Sequence, residues 1–437
     1  MQNIATSALL TKQVRSAFQE YNIQPNQPLW IAYSGGLDSH TLLHILCHLS
    51  HPKYLTAIHI NHQISPHANY WEQHCEQITR SLGVTFTSTR LSGLSAGQPD
   101  LEARARTARY AAYSAIVPAN AILLMGHHLD DQAETILMRL CRGSGPTGLA
   151  GIPAQRQHQH FTLFRPLLTS SRAQIQHYAH EQKLAWIEDH SNASDHFSRN
   201  YLRHTVLPLL EKKWPAAREN LCRSAQHCAE QNRLVHPMID AIVTRITEQN
   251  SLHIPALLRE TDDIQKAVIR QWQATWSPYP FTSKQLDNLF RSVIHARIDS
   301  EPALVHHQYI IRRYRENLYY LPKAVSTPPI EPITWPANQL SLTIPALKQV
   351  LKRQGTQENS LFNQVLTVRF RQGGERFHPV GRSASHPVKK LLQAWGVPPW
   401  ERGYIPLIYA GDILVAIPGY ASSAHPKAQG SITLENA

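Results

Sequence analysis

An apolar run, Leu29-Trp30-Ile31-Ala32-Tyr33, is followed at once by Ser34-Gly35-Gly36-Leu37-Asp38-Ser39 and then by a helix-patterned segment, Thr41-Leu42-Leu43-His44-Ile45-Leu46. A buried strand, a glycine turn and a helix start, in that order, build an anion pocket. The turn's N–H groups and the helix dipole converge on a bound phosphate. Glycine admits the phosphate where a Cβ would collide. The serine hydroxyls add donors, and Asp38 is placed to hold the magnesium that accompanies a polyphosphate. The loop is not the common P-loop, which needs a Gly-Lys pair followed by Ser or Thr; no Gly-Lys pair occurs in the chain. An ordinary strand-to-helix turn is the plain alternative, but charge and hydroxyls crowd this turn beyond what packing requires.

The surrounding pattern alternates. Strands are expected at 29–33, 54–60, 84–91 and 121–125. Helices are expected at 38–49, 67–82 with Gly83 as its stop, 100–116 with Asp100 as its cap, and 130–141. Strand and helix in turn predict an α/β fold, a doubly wound parallel sheet whose ligand sits at the carboxyl ends of the strands. From about Ala216 helical periodicity dominates to Ile294, with Trp272 and Trp276 as core anchors. Short strands follow over 304–321, then a proline-rich stretch, then a compact α+β unit from about Leu340. The expected division is therefore an α/β catalytic domain at 1–215, a mainly helical domain at 216–321, a linker at 322–339 and a small C-terminal domain at 340–437.

Composition narrows the partners. The 437 residues suffice for two or three domains, and a 42% apolar fraction supports real cores. Lys plus Arg exceeds Asp plus Glu by 43 to 31, which suits a polyanion such as nucleic acid. The 26 histidines are scattered without zinc spacing, and the five cysteines, Cys47, Cys75, Cys141, Cys222 and Cys228, form no C-x-x-C. Reduced thiols and a cytoplasmic location are expected. Lys12 and Arg15 interrupt the N-terminal apolar stretch, and Pro118, Asn120 and Gly126 break the uncharged stretch at 111–129, so neither a signal peptide nor a membrane span is expected.

Other constellations stand beside the loop. His127-His128-Leu129-Asp130-Asp131-Gln132-Ala133-Glu134-Thr135 follows the fourth strand and puts Asp131 and Glu134 on one helix face. Such carboxylates can bind magnesium or an ammonium group; capping by Asp130 and Asp131 with a solvated Glu134 is an equally good account. The helix at 100–116 places Glu102, Arg106, Arg109 and Tyr110 on one side, where the arginines can clamp phosphate; an intrahelical Glu102–Arg106 pair is the plain alternative. The glycine-rich 142–151 segment suits a mobile flap, a nucleic-acid contact or a surface loop without a role.

In order along the chain, SGGLDS, His59-Ile60-Asn61-His62, LEARARTARY, HHLDDQAET, RGSGPTGLAG, EDHSN and RNYLR together resemble the tRNA(Ile)-lysidine synthases, within the N-type ATP pyrophosphatases of the PP-loop family (adenine nucleotide alpha hydrolase-like in fold). Arg371-Gln372-Gly373-Gly374-Glu375-Arg376-Phe377, His386, Lys389-Lys390 and Pro398-Pro399-Trp400-Glu401-Arg402 resemble that family's C-terminal domain. The resemblance implies ATP and magnesium as cofactors, and as partners free L-lysine and tRNA(Ile) with a CAU anticodon. ATP would adenylate the wobble cytidine at its carbon-2 oxygen. The lysine amine would then expel AMP to give lysidine, changing specificity from methionine to isoleucine. It implies ATP binding by Ser34, Gly35, Gly36, Leu37, Asp38 and Ser39, magnesium at Asp38, and lysine held by Asp131 and Glu134. Phosphate charge would be met by Arg106 and Arg109, and tRNA by Arg376, Arg382, Lys389, Lys390 and Arg402. Asn61 departs from the aspartate the family often carries there. A homodimer stays open. The alternatives are a PP-loop tRNA thiolase and a non-enzymatic basic RNA-binding protein.

Overall fold

The computed structural model describes residues 4–93, 101–188, 198–297, 300, 302–323, 331–354, 361, 363–425, 428 and 430–436. Asp100, the expected cap, and Asp189 to Asn192 lie outside them, as does the side chain of Glu102. The chain divides into two compact units, Met1–Met238 and Ile239–Ala437.

The first unit runs α1 (Ile4–Glu20), β1 (Leu29–Ala32), α2 (Leu37–Leu49), β2 (Leu55–Asn61), α3 (Ala68–Ser81), β3 (Thr85–Arg90), α4 (Leu101–Ile116), β4 (Ile122–Leu124), α5 (Leu129–Cys141), α6 (Pro146–Leu149), β5 (Gln155–His158), β6 (Phe161–Phe164), α7 (Arg172–Glu181), α8 (Ser198–Tyr201), a π turn (Leu202–Val206), α9 (Leu207–Lys213) and the start of α10 (Ala217–Ile246). The six-stranded sheet has the order β3-β2-β1-β4-β6-β5. All pairings are parallel except the β5–β6 edge hairpin. β1 reads as a continuous apolar run because both its faces are covered. Leu10, Val14 and Phe18 of α1, Leu42 and Ile45 of α2, and Ile175 and Tyr178 of α7 fill one side. Tyr113 of α4 and Val117 just after it close over Ile58, Leu123 and Leu163 on the other. The expected α/β doubly wound sheet is thus observed. The strand order reverses between β1 and β4, and the crevice at such a switch point is where this architecture binds ligand. The glycine-rich 142–151 segment is pinned, not a flap: Arg139 Nη1 donates to Gly148 O (2.6 Å) and Gly151 O (2.7 Å), and Gln132 Nε2 donates to Ile152 O (3.0 Å).

The second unit contains β7 (Thr247–Glu248), β8 (Ser251–His253), α11 (Ile254–Leu257), α12 (Asp262–Trp276), α13 (Ser283–Leu289), β9 (Ala303–His306), β10 (Tyr309–Tyr314) and β11 (Asn317–Pro322), with a sheet ordered β7-β8-β11-β10-β9. Helices dominate its first half as expected. Val268, Ile269, Trp272, Leu286 and Leu289 bury against Ile311, Leu318 and Tyr320, and Trp276 is only half-buried beside them. Beyond come β12 (Ile333–Trp335), β13 (Ser341–Ile344), β14 (Gln349–Gln354), β15 (Leu366–Phe370), β16 (Arg376–Phe377), β17 (His386–Pro387), α14 (Val388–Ala394), β18 (Pro406–Ala410), β19 (Ile413–Ile417), β20 (Ala421–Ser422) and β21 (Ser431–Asn436), forming sheets β12-β15-β18-β19-β20 and β13-β14-β21.

The stretch expected to be a linker over 322–339 holds β12, which pairs antiparallel with β15 and buries Trp335 completely. Proline spacing concealed this because the prolines flank the strand and leave its ladder donors intact. Arg353 fastens the same region. Its guanidinium lies 4.6 Å from the Trp335 ring centre and donates to Leu361 O (2.6 Å), Gln364 O (3.1 Å), Trp335 O (3.1 Å) and Pro336 O (2.9 Å). Arg353→Ala strips donors from these carbonyls and leaves a hole under the indole. A loss of about 3 kcal/mol in unfolding free energy is expected, measured by urea denaturation.

Candidate functional site

The loop between β1 and α2 is shaped by its own side chains. Gly35 has φ +80, and a Cβ there would lie 2.6 Å from Ile187 Cδ1 and 2.8 Å from Cys75 Sγ, so only glycine fits. Ile187 N donates to Gly35 O (2.9 Å) and fixes the turn. Ser39 Oγ accepts from Ser34 N (3.2 Å), lies 3.0 Å from Ser34 Oγ and donates to Gly36 O (3.1 Å). No side chain caps α2, so its leading N–H groups face the crevice. That arrangement is the anion cradle. The loop after β4 comes close: a Cβ on Gly126 would lie 3.1 Å from Asp38 O and 3.2 Å from Ser39 N.

Asp38 and the start of α5 meet across the switch point. Asp38 Oδ2 accepts from Arg172 Nη1 (3.2 Å), while its buried Oδ1 has no hydrogen-bond partner. His128 is 1% exposed. Its Nε2 lies 3.7 Å from Asp38 Oδ2 and 3.5 Å from Asp131 Oδ2, and its Nδ1 lies 3.6 Å from Asp130 Oδ2. Asp130 accepts from Arg172 N (2.8 Å) and pairs with Arg218, which in turn binds Glu211 Oε1 (2.6 Å). Asp131 caps α5 by accepting from His128 N (3.0 Å).

The expectation of a solvated Glu134 is not met, since it is 0% exposed. Arg199 Nε donates to its Oε2 and Arg203 Nε to its Oε1, each at 2.6 Å, and Arg199 Nη2 reaches Asp131 Oδ1 at 2.9 Å. Burial opposes ionisation of Asp131, but His128, Arg199, His127 and the His128 N–H outweigh it and hold the carboxyl below its ordinary value. Both carboxylates proposed for lysine are thus met by guanidiniums of the chain itself. Arg199 and Arg203 open and close the RNYLR stretch. Their four-residue spacing was the available signal.

Of the two α4 arginines expected to meet phosphate, Arg106 is exposed with its guanidinium 5.1 Å from the Tyr110 ring centre. Arg109 is half-buried and its Nε has no partner. At the end of β2, Asn61 Nδ2 donates to Glu72 Oε2 (2.8 Å), and Ser88 Oγ donates to Glu72 Oε1 (2.6 Å). An aspartate at position 61 would face that carboxylate, so the asparagine is electrostatically matched to its neighbour.

In the second unit Arg376, Arg382, Lys389 and Lys390 are exposed. Arg402 differs from them. It is 8% exposed, its Nε donates to Val397 O (2.9 Å) and its Nη2 to the Tyr314 hydroxyl (3.2 Å). Contrary to its expected place among the tRNA contacts, Arg402 is a buried internal strut, because the loop after α14 needs a donor for its carbonyls. Arg402→Ala is expected to lower the melting temperature without changing how RNA binding responds to salt.

His62 and His127 stay neutral. Burial, with Arg109 and His59 nearby, pushes His62 down to about 4. Burial pushes His127 down to about 3, with Asp131 opposing and Arg165, Arg199 and Arg106 adding to the shift. In the unfolded chain both take a proton near the ordinary value of about 6.5. Their contribution to stability is therefore complete above that pH and is lost as pH falls toward the folded values. Urea denaturation is expected to give a falling unfolding free energy between about pH 6.5 and 4, a slope that His62→Gln should reduce.

Family models match three stretches: a PP-loop domain over residues 9–210, a TilS substrate binding domain over 252–319 and a TilS substrate C-terminal domain over 366–434. The tRNA(Ile)-lysidine synthase of Coxiella burnetii is 40% identical, covering 93% of this chain and 91% of its own length. That of Serratia proteamaculans is 36% identical over 98% of both. That of Legionella pneumophila is 36% identical over 95% of this chain and 96% of its own. With identity at this level over nearly the full length, and with the anion cradle at the switch point of the sheet, the chain belongs to the tRNA(Ile)-lysidine synthase family.

Proposed function

We propose that the chain is an ATP-dependent ligase that joins free L-lysine to carbon 2 of the wobble cytidine in the CAU anticodon of tRNA(Ile). The observation that carries this reading is the juxtaposition, at the β1–β4 switch point, of a pyrophosphate cradle with a carboxylate cluster. In the first step the cytosine carbon-2 oxygen attacks the α-phosphorus of ATP, the bond to the β-phosphate breaks and pyrophosphate leaves. In the second, the lysine amine attacks carbon 2, the carbon–oxygen bond breaks, AMP leaves and the nitrogen sheds a proton.

Ser34, Gly35, Gly36, Leu37 and Ser39 hold the leaving pyrophosphate through backbone N–H groups and hydroxyls. Arg106 and Arg109 oppose phosphate charge. Asp131 and Glu134 seat the lysine's charged end, in competition with Arg199 and Arg203. Asp38 fits a magnesium site, since its buried Oδ1 lacks a partner. Among the described residues no cluster of three His, Cys, Asp or Glu could enclose a metal, which suits an ion completed by phosphate oxygens and water. Magnesium, when bound there, offsets the charge of the departing pyrophosphate. Arg376, Arg382, Lys389 and Lys390 position the tRNA through its phosphates. The thiolase reading gains nothing from the cysteines: burial pushes the Cys75 thiol, beside the loop, to about 12, and Cys47 to about 11. The reaction belongs where tRNA, ATP and free lysine meet, in the cytoplasm.

Incubation of the protein with CAU-anticodon tRNA(Ile), ATP and lysine is expected to increase the wobble nucleoside's mass by one lysine less one water. Asp38→Ala is expected to abolish pyrophosphate release while leaving tRNA affinity within about twofold. Pyrophosphate release and a nucleoside product that are both indifferent to lysine would exclude this reading.

A further inference from the structure

Chemistry on an anticodon base obliges the neighbouring nucleotides to lie on the surface around the pyrophosphate loop. On the catalytic unit, α4 and the β5–β6 hairpin make a surface with the composition of a single-stranded RNA seat. Arg106 is exposed above Tyr110, and the Tyr110 ring centre is 5.1 Å from that of His158, which is 5.2 Å from Phe161. Arg156 is exposed on β5 two residues before His158, hence on the same face of the strand. Beneath them Arg165, 4% exposed, donates to Pro153 O (2.7 Å), and its Nη2 lies 4.0 Å from Met125 Sδ, the sulfur that also receives the Tyr110 hydroxyl at 3.8 Å.

Among the described residues no carboxylate forms an ion pair with Arg106, Arg139, Arg156 or Arg165. After burial itself, Arg106 and Arg156 push both Arg139 and Arg165 below the ordinary guanidinium value, with Tyr110 opposing at Arg165. The patch reaches the reaction centre at the end of β4: Met125 receives the Tyr110 hydroxyl, and Gly126 beside it lies against Asp38 O and Ser39 N. The second unit offers an instructive contrast. There Trp400 is enclosed by Tyr314, Tyr319 and Arg312, and Arg313 donates to Ile294 O and Ala296 O, so a comparable set of arginines and aromatics is used up internally.

We propose that Arg106, Tyr110, Arg156 and His158 form the surface that takes the single-stranded anticodon loop of the tRNA, with the arginines on phosphates and the rings stacking against bases. This assignment rests on the lysidine reading above. It adds a specific RNA surface on the catalytic unit itself, distinct from the basic residues of the second unit.

The test uses the full-length protein and an unmodified tRNA(Ile) transcript, with Kd measured across a salt series. Arg156→Glu, at an exposed strand position, is expected to raise the Kd about tenfold and to flatten the plot of log Kd against log salt by roughly one unit. The KM values for ATP and lysine should stay within about twofold. His158→Ala is expected to raise the Kd about fivefold with the salt slope unchanged, as befits lost stacking. Melting temperatures report whether either variant has lost its fold, and Arg156→Ala, with a smaller expected loss in the same direction, replaces a destabilised charge reversal. Wild-type affinity in the Arg156 variants, or an unchanged salt slope, overturns the surface even if the wild-type protein makes lysidine. A wild-type protein that makes no lysidine overturns the reading beneath it, and with it the assignment to an anticodon loop.

Discussion

Four carboxylates converge at the start of α5, and the catalytic unit is organised by what they attract. Asp38 comes from the first turn of α2; Asp130, Asp131 and Glu134 come from α5. Against them stand Arg172 from α7, Arg199 and Arg203 from the segment entering α9, and Arg218 from α10. Like-charged carboxylates at such close quarters repel one another unless cations separate them. The arginines supply that separation, and each is also an anchor for the piece of chain that carries it. Buried ion pairs of this kind contribute little net stability relative to apolar packing, but removing one partner strands the other. The network therefore serves arrangement more than strength: three later segments are docked around the site by the requirement that these acids be neutralised.

What was legible beforehand was local. The apolar β1 run, the glycine turn and the first turn of α2 lie within a dozen residues, and their chemistry dictates strand, cradle and helix without reference to anything distant. The alternation that followed gave the doubly wound sheet for the same reason, since each strand and helix displays its own period. Side-chain partnerships were not legible. Arg199 binds Glu134 from 65 residues away and Arg172 binds Asp38 from 134 away. No spacing rule connects such positions, and only the folded sheet brings them together. Trp335 eluded a reading based on proline content because its neighbours announce a linker while its own side chain is wanted in a core.

Positive charge was the least informative signal residue by residue. An excess of basic residues points correctly to a polyanion, yet the arginines divide into two populations that composition cannot separate. Arg353, Arg402 and Arg313 spend their donors on backbone carbonyls, filling gaps where loops turn away from regular ladders. Arg156, Arg382, Lys389 and Lys390 keep their charge at the surface, and Arg376 does both, exposed while its Nη2 donates to Ser385 O (2.7 Å). The planar guanidinium, with its fixed fan of donors, suits the first task as well as the second.

The π turn at 202–206 gives this stretch a constraint of another kind. It widens the helical path by one residue just where Arg203 leaves for Glu134. A π turn holds one residue more than an α turn over the same path, so the extra residue is absorbed locally and the helix on either side keeps its placement. Removing a single residue there would let the path close into plain α-helix with α9 still seated. The change would fall on the wider turn itself, and so on Arg203, whose direction of departure toward Glu134 the extra residue helps to set. This short segment therefore tolerates a change in its length more readily than the loss of its one guanidinium.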